Sequence, residues 1–398
     1  MRVQKKCLTT LMLILILEFN LLLSCSKKNK DYPLDVEVIK IDVDKYEEIA
    51  DASFFVDTDD FEIIPLETSD SCLIGNVTRV YLKKDKIIVY DEVQKAAFIF
   101  NKDGSYYSKV LRLGNGPGEY PPVVNDIVVT DNFIGVLVPA IQKIKFYNFE
   151  GEFVKDISLN GSWAYTFFTF DENKYYLING WGRSDQGKYH LFTLDEKGKL
   201  DKFLPFESND EINRGWGLEN YYSLFQNRAL VIYSSIDSIY SVSPDQKIAP
   251  KYFVEFTKRK ISKELAEGDG RTALEYAIKN DYFTGVTKIM ETTRYLVLMS
   301  SGADMIVYDK TAKEVKSIST IMVIPEWDNF SIQLGAPGDI QEDKIIYTME
   351  AIMPQYYKDT FNKNTCKDKR FAEEYSKILN AGFKDTDNPI LFIFNVKK

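Results

Sequence analysis

Apolar and polar residues follow one another along this chain in short runs that close on Asn, Asp, Ser or Gly, a pattern that predicts strands joined by turns. One phrase keeps returning: FIFNKDG from Phe98, KFYNFEG from Lys145, LFTLDEKG from Leu191, IYSVSPDQ from Ile239, MIVYDKTAK from Met305 and LFIFNVKK from Leu391. The polar residues that close these runs (Asn101, Asn148, Asp195, Ser243, Asp309 and Asn395) are spaced by 47, 47, 48, 66 and 86 residues. Self-similarity at a near-fixed period marks a repeat architecture, here three regular units followed by two that carry insertions.

Within the first unit, residues 77–82, 86–91, 96–101 and 105–113 are four runs rich in Val, Ile, Tyr and Phe, which reads as an antiparallel meander. The second unit repeats this over 126–130, 133–138, 144–149 and 152–158, and the third over 165–170, 174–178, 190–194 and 200–206. Four strands per unit at this spacing is the signature of propeller blades. The predicted fold is all-β: a six-bladed propeller of four-stranded antiparallel blades. The last blade lacks a strand, and FEIIPL at 61–66 is the N-terminal strand expected to close it, removing an exposed edge. Residues 33–60 should lead into that strand along the outside of the disc. Two insertions, about 260–281 and about 355–382, combine good helix formers with apolar residues three and four apart and are expected to be helical.

The N-terminus departs from this pattern. Arg2, Lys5 and Lys6 precede an apolar run that ends at Leu22-Leu23-Ser24-Cys25, which reads as a signal peptide over 1–24. The same four residues resemble the bacterial lipobox, so Cys25 is the expected lipidation site, 25–32 a tether and 33–398 the propeller. Acyl chains on Cys25 would hold the domain at a membrane surface. Loss of the signal removes three positive charges and one negative, moving the formal charge from −9 to −11. Such an acidic body argues against nucleic acid as a partner. Two cysteines remain in an exported chain, and Cys72 and Cys366 are the candidate disulfide, with two free thiols as the alternative.

The stretch FEIIPLETSDSCLIGNVTRVYLKKDKIIVYDEVQKAAFIFNKDG followed by LRLGNGPGEY resembles the opening strand, first blade and Gly-rich linker of the six-bladed, NHL-like propeller lipoproteins of Bacteroidota. The resemblance implies the same fold and an anchored envelope location, with no established activity. The tether lacks an aspartate beside Cys25, which points to the outer membrane.

In blades of this kind the tight turns gather on one face and the long connections on the other. The long connections carry the candidate ligand residues Glu119, Tyr120, Trp181, Arg183, Arg214, Trp216, Arg271 and Tyr356, with Asp91 at the end of a strand beside them. Aromatic rings and guanidinium groups suit a glycan, a peptide or an envelope protein partner. The competing view is that these rings pack the loops onto the disc and that Asp91 caps its turn. Gly114-Asn115-Gly116-Pro117-Gly118 is expected to be a tight blade-to-blade crossing, since a phosphate loop would open a helix.

His190 is the chain's only histidine and the repeat places it on a third strand away from the channel, whereas a triad would need it beside a nucleophile; a multi-histidine metal site is impossible. A non-catalytic binding module is therefore expected, needing no cofactor. The alternatives are a calcium-dependent, lactonase-like hydrolase using oxygen donors such as Asp91, Glu119 and Asn179, and a structural subunit of an envelope complex.

Overall fold

The computed structural model describes residues 35–398 apart from 47, 84, 180–184, 206–220, 234–236, 263–264, 266–269, 301–304 and 334–338. Val38–Lys398 forms one compact unit. Among the described residues no helix is long and apolar enough to cross a membrane. Cys25 and the signal region lie outside the described residues.

Three short strands open the fold: Glu37–Ile41 (β1), Glu48–Asp51 (β2) and Val56–Pro65 (β3). The first repeat follows as Val77–Leu82 (β4), Lys86–Asp91 (β5), Ala96–Asn101 (β6) and Tyr106–Val110 (β7), paired in that order. The second is Asp126–Val129 (β8), Ile134–Val138 (β9), Lys143–Tyr147 (β10) and Phe153–Ser158 (β11), and the third Thr166–Thr169 (β12), Lys174–Ile178 (β13), Tyr189–Asp195 (β14) and Leu200–Pro205 (β15). The fourth is Tyr222–Phe225 (β16), Arg228–Val231 (β17), Ser238–Val242 (β18) and Ile248–Phe256 (β19). The fifth is Val286–Glu291 (β20), Tyr295–Ser300 (β21), Met305–Asp309 (β22) and Glu314–Ile324 (β23), with Phe330–Gln333 (β24) added to the end of β23. The sixth sheet joins Asp339–Gln341 (β25), Lys344–Met349 (β26) and Ile390–Val396 (β27) to β3.

Five sheets are thus built from strands consecutive in sequence, and one is composite. Pairing of β3 with β27, Ile390 opposite Pro65 through Phe394 opposite Phe61, closes it in the antiparallel sense expected for FEIIPL. On the way to that position the N-terminal segment also adds β1 to the outer edge of the fourth sheet and β2, in parallel, to the fifth. Neither edge strand was expected from the sequence, because each is short and its pairing partner is far along the chain.

The middle strands of each sheet read as continuous apolar runs for a physical reason. β5 and β6 are buried almost throughout, since each is covered on both faces by neighbouring sheets. β7, at an outer edge, is largely half-exposed. Each fully buried Val, Ile or Phe in such a position contributes roughly 1.5–3 kcal/mol. The returning polar residue has an equally local cause. Asn101, Asn148 and Asp195 start tight turns in which the amides of Gly104, Gly151 and Gly198 donate to their carbonyls at 3.0 Å each. All three glycines hold φ near +80° (86°, 79° and 79°). A Cβ on Gly104 would collide with the Pro65 carbonyl of the closing strand, so this turn and β3 pack only with glycine there.

The helices number three among the described residues: Gly270–Asn280 (α1), Met353–Tyr357 (α2) and Lys369–Asn380 (α3). The second insertion therefore holds two helices where one was expected. Asp368 caps α3 by accepting from the Phe371 amide at 3.0 Å, and the Asp368 carboxylate also accepts from Trp327 Nε1 at 3.0 Å.

The expected disulfide is absent: Cys72 and Cys366 are both free and buried. Cys72 packs with Val80, Ile87 and Phe98, its thiol donating to the Glu67 carbonyl at 3.1 Å. Cys366 belongs to a different cluster with Trp327 and Phe371, donates to the Asp368 carbonyl at 3.2 Å, and has its thiol pKa pushed up by burial. The seam that a bridge would have stapled is held by Asn388 instead. Its buried side chain accepts from the Ile74 amide at 2.8 Å and donates to the carbonyls of Cys72 at 2.8 Å and Glu67 at 2.6 Å.

Candidate functional site

The innermost strands β4, β8, β12, β16, β20 and β25 face one another around a central channel, and side chains from the first four of them meet there. Arg79 and Tyr81 lie two apart on β4 and so share a face, just past a register shift between Val77 and Arg79. Asp126, Thr166 and Tyr222 occupy the same position in three successive repeats, the first residue of β8, β12 and β16. Equivalent positions on adjoining sheets bring them together.

The bonding is dense. Arg79 donates through Nη1 to Asp126 Oδ1 at 2.5 Å and to the Tyr81 hydroxyl at 3.2 Å, and that hydroxyl donates to the Ile127 carbonyl at 2.9 Å. Asp126 also accepts from the Ile127 amide at 2.9 Å and, on its other oxygen, from the Thr166 hydroxyl. Asp126 is fully enclosed, so burial raises its pKa while Arg79 and these hydrogen bonds oppose the rise. Burial is the largest influence on Arg79 and works against its cation, but Asp126, Tyr81 and Tyr222 together outweigh it and hold the guanidinium charged. Tyr222 is pushed well above the usual phenol range, chiefly by burial and then by Asp126. The arrangement is a charged pair inside a ring of neutral hydroxyls.

This constellation borders a cavity of about 550 Å³. Its wall continues past Arg79, Tyr81 and Tyr222 to Lys83, Asp131, Gln226 and Glu342, which belong to the tight turns after β4, β8, β16 and β25. The cavity thus lies at the tight-turn end of the channel, opposite the long-loop face on which the ligand residues were expected. A second buried charge group, Glu291 at the end of β20, accepts from Arg228 and from Lys310 Nζ, the latter at 3.0 Å, and its amide donates to Ser223 Oγ at 2.9 Å. It ties the fourth sheet to the fifth.

The residues singled out from sequence do not converge. Asp91 is buried and accepts from the amides of Gly75 at 2.7 Å and Gln94 at 3.0 Å, which is a capping role at the turn after β5. Glu119 folds back on its own loop, accepting from the Gly116 amide at 2.8 Å. Tyr120 is 1% exposed, donates to the Lys95 carbonyl at 2.9 Å and packs edge-on against Tyr147, so it offers no surface to a ligand. Asn179 is buried with its amide nitrogen donating to the Tyr189 carbonyl at 3.2 Å. His190, on the third strand β14 and not on the innermost strand of its sheet, packs against the Tyr233 ring. Tyr356 is exposed on α2. Trp181, Arg183, Arg214 and Trp216 lie outside the described residues, as does the Arg271 side chain on α1. Among the described residues no three His, Cys, Asp or Glu side chains gather in a way that would hold a metal.

Sequence reasoning missed Arg79, Tyr81, Asp126, Thr166 and Tyr222. The available signal was a polar residue opening the innermost strand of successive repeats, where the middle strands are apolar throughout.

With this architecture and channel the chain is a propeller-like all-β protein. Over residues 36–395 it matches the family described as a domain of unknown function, DUF4934, and it belongs to that family. Among solved structures it is similar to a protein of Bacteroides fragilis NCTC 9343 held to be exported, with a TM-score of 0.69 and 17% identity over 91% of this chain and 100% of the other. A member of the DUF4221 family from Bacteroides vulgatus matches over 86% of this chain and 97% of its own, at a TM-score of 0.46 and 11% identity. No curated protein matches the chain in sequence.

Proposed function

We propose that this protein is a lipid-anchored, six-bladed propeller of the NHL-like kind, held at the outer membrane through Cys25. It acts as a non-catalytic binding module for a glycan, a peptide or a partner protein. The observation that carries this reading is the cavity of about 550 Å³ at the channel end, whose walls draw on all six sheets. A site assembled from every sheet is as rigid as the fold itself, and its volume falls within the roughly 300–1,000 Å³ usual for small-molecule sites. Rings (Tyr81, Phe170, Tyr222) and amides (Gln226, Asn227, Gln341) mix on the wall, which suits a ligand with flat apolar faces and polar edges. A ligand portion entering this cavity is favoured over the long-loop face because Tyr120, Asp91 and Glu119 there are spent on holding their own loops. The similarity to a Bacteroides fragilis protein held to be exported supports an envelope location.

The test is a melting-temperature screen of the purified chain against glycan and peptide libraries, repeated with Asn227→Trp, an exposed rim position that a large ring would obstruct. Binding to the native state raises the melting temperature by mass action. A hit that disappears in Asn227→Trp supports the reading, and a hit indifferent to it moves the site elsewhere. A rise on adding calcium, reversed by EDTA, would favour the hydrolase instead.

A further inference from the structure

Arg79 is only half used by the protein. A guanidinium offers five N–H donors in a rigid fork. Both of the bonds Arg79 makes, to Asp126 and to Tyr81, leave from Nη1. Its Nε and Nη2 have no partner among the described residues, and neither is an enclosed, unsatisfied atom. The side chain is 31% exposed although it lies deep between inner strands, and the space it faces is the cavity. Nε and Nη2 are the two parallel donors that engage an oxyanion side-on.

The rest of the wall has the matching sign. Arg79, Lys83, Lys86, Lys102 and Lys344 line it against Glu62, Asp131 and Glu342, in a chain with 50 basic and 59 acidic side chains. The rim pairs each have at least one partner well in solvent, Lys83 to Asp131 at 3.5 Å, Lys86 to Asp85 at 3.3 Å and Lys344 to Glu62 at 3.7 Å, and such pairs open at little cost. Lys102 makes no ion pair among the described residues. Asp126, by contrast, is buried and held by the Ile127 amide and the Thr166 hydroxyl, so it fixes Arg79 in place before any ligand arrives.

We propose that the cavity binds a small ligand through an oxyanion group, carboxylate, sulfate or phosphate, gripped side-on by Nε and Nη2 of Arg79. This rests on the binding-module reading and narrows it to acidic ligands. The experiment measures the melting temperature of the full chain in detergent with D-glucuronate, sulfate, inorganic phosphate or neutral glucose, at ionic strength held constant with NaCl. The oxyanions should raise it and glucose should not. Glucuronate ahead of the inorganic ions would mark a carboxylated sugar as the source of the group, and phosphate ahead would mark a phosphoryl compound. Arg79→Lys keeps a cation beside Asp126 but loses the fork, and should weaken the effect about tenfold or more. If that variant does not fold, Asn227→Trp supplies the same comparison by closing the mouth. Equal shifts from glucose and glucuronate, no shift from any oxyanion, or an undiminished shift in Arg79→Lys would each overturn the proposal. A neutral hit in the library screen would leave the binding module standing without it.

Discussion

Two regions of this fold solve the same problem, joining sheets to one another, by opposite means. Around the channel, sheets one to four meet through Arg79, Tyr81, Asp126, Thr166 and Tyr222, a group that works only if every donor finds its acceptor. Between sheets five and six the join is aromatic. Trp327 stacks on Phe371 with centroids 4.3 Å apart and planes 2° from parallel, and Phe371 stacks in turn on Tyr375 at 5.3 Å. Phe61 of the closing strand and Phe394 meet the Trp327 ring edge-on at 5.1 and 5.8 Å. The aromatic seam derives its strength from area and tolerates small shifts, whereas the polar ring derives direction from geometry.

The comparison can be broken by substitution on either side. Trp327→Ala should have the largest effect, about 4 kcal/mol of lost stability in denaturant unfolding, because it empties the centre of the aromatic stack and takes one hydrogen bond from the Asp368 carboxylate. Oxyanion-induced shifts should survive in whatever folds. Asp126→Ala should cost about 3 kcal/mol, since it leaves Arg79 unpaired between inner strands, and here those shifts should vanish with the pair. Equal consequences for ligand binding from the two substitutions would erase the distinction.

Asn388→Ala comes next at about 2 kcal/mol, because the Ile74 amide and the carbonyls of Cys72 and Glu67 lose their partner at the closing seam. In the same unfolding measurement reductant should change nothing, and intact mass should return two free thiols; a reductant-sensitive transition would restore the disulfide.

The smallest expected effect concerns acid. Asp309 is buried, which works to raise its pKa, but its hydrogen bond from Arg294 and the amides of Ala312 and Thr311 prevail and hold it below the ordinary 3.8. A carboxylate depressed in the folded state adds stability that is present above 3.8 and is lost as pH falls through its folded value. The melting temperature should therefore decline below pH 3.8, and less steeply in Asp309→Asn. Asp126 has the opposite sign: its raised pKa means that its contribution weakens as pH rises through the folded value.

What was legible in the sequence was local. Alternation within runs and a closing Asn, Asp or Ser located the middle strands of most repeats to within a residue or two, because a strand covered on both faces must be apolar and its turn must admit positive φ. FEIIPL was legible as a closing strand because its partner was visibly missing. The edge strands β1 and β2, the short β25 and the division of the second insertion into two helices were not, since none carries a pattern long enough to stand apart from loop.

The candidate site shows the limit most clearly. Aromatic and arginine residues on long loops drew attention because loops commonly carry function, yet Tyr120 is core and Asp91 is a cap, the competing reading of both, and the choice between the two readings was set by neighbours that sequence spacing does not reveal. Arg79, Asp126, Thr166 and Tyr222 are each unremarkable in their own repeats and become a site only when successive inner strands are brought side by side. Sequence alone determined that this chain would form repeated four-stranded sheets, because hydrophobic period and turn chemistry act over a few residues. Which polar side chains would meet was decided by the tertiary structure, because their distance depends on how whole sheets pack around the channel.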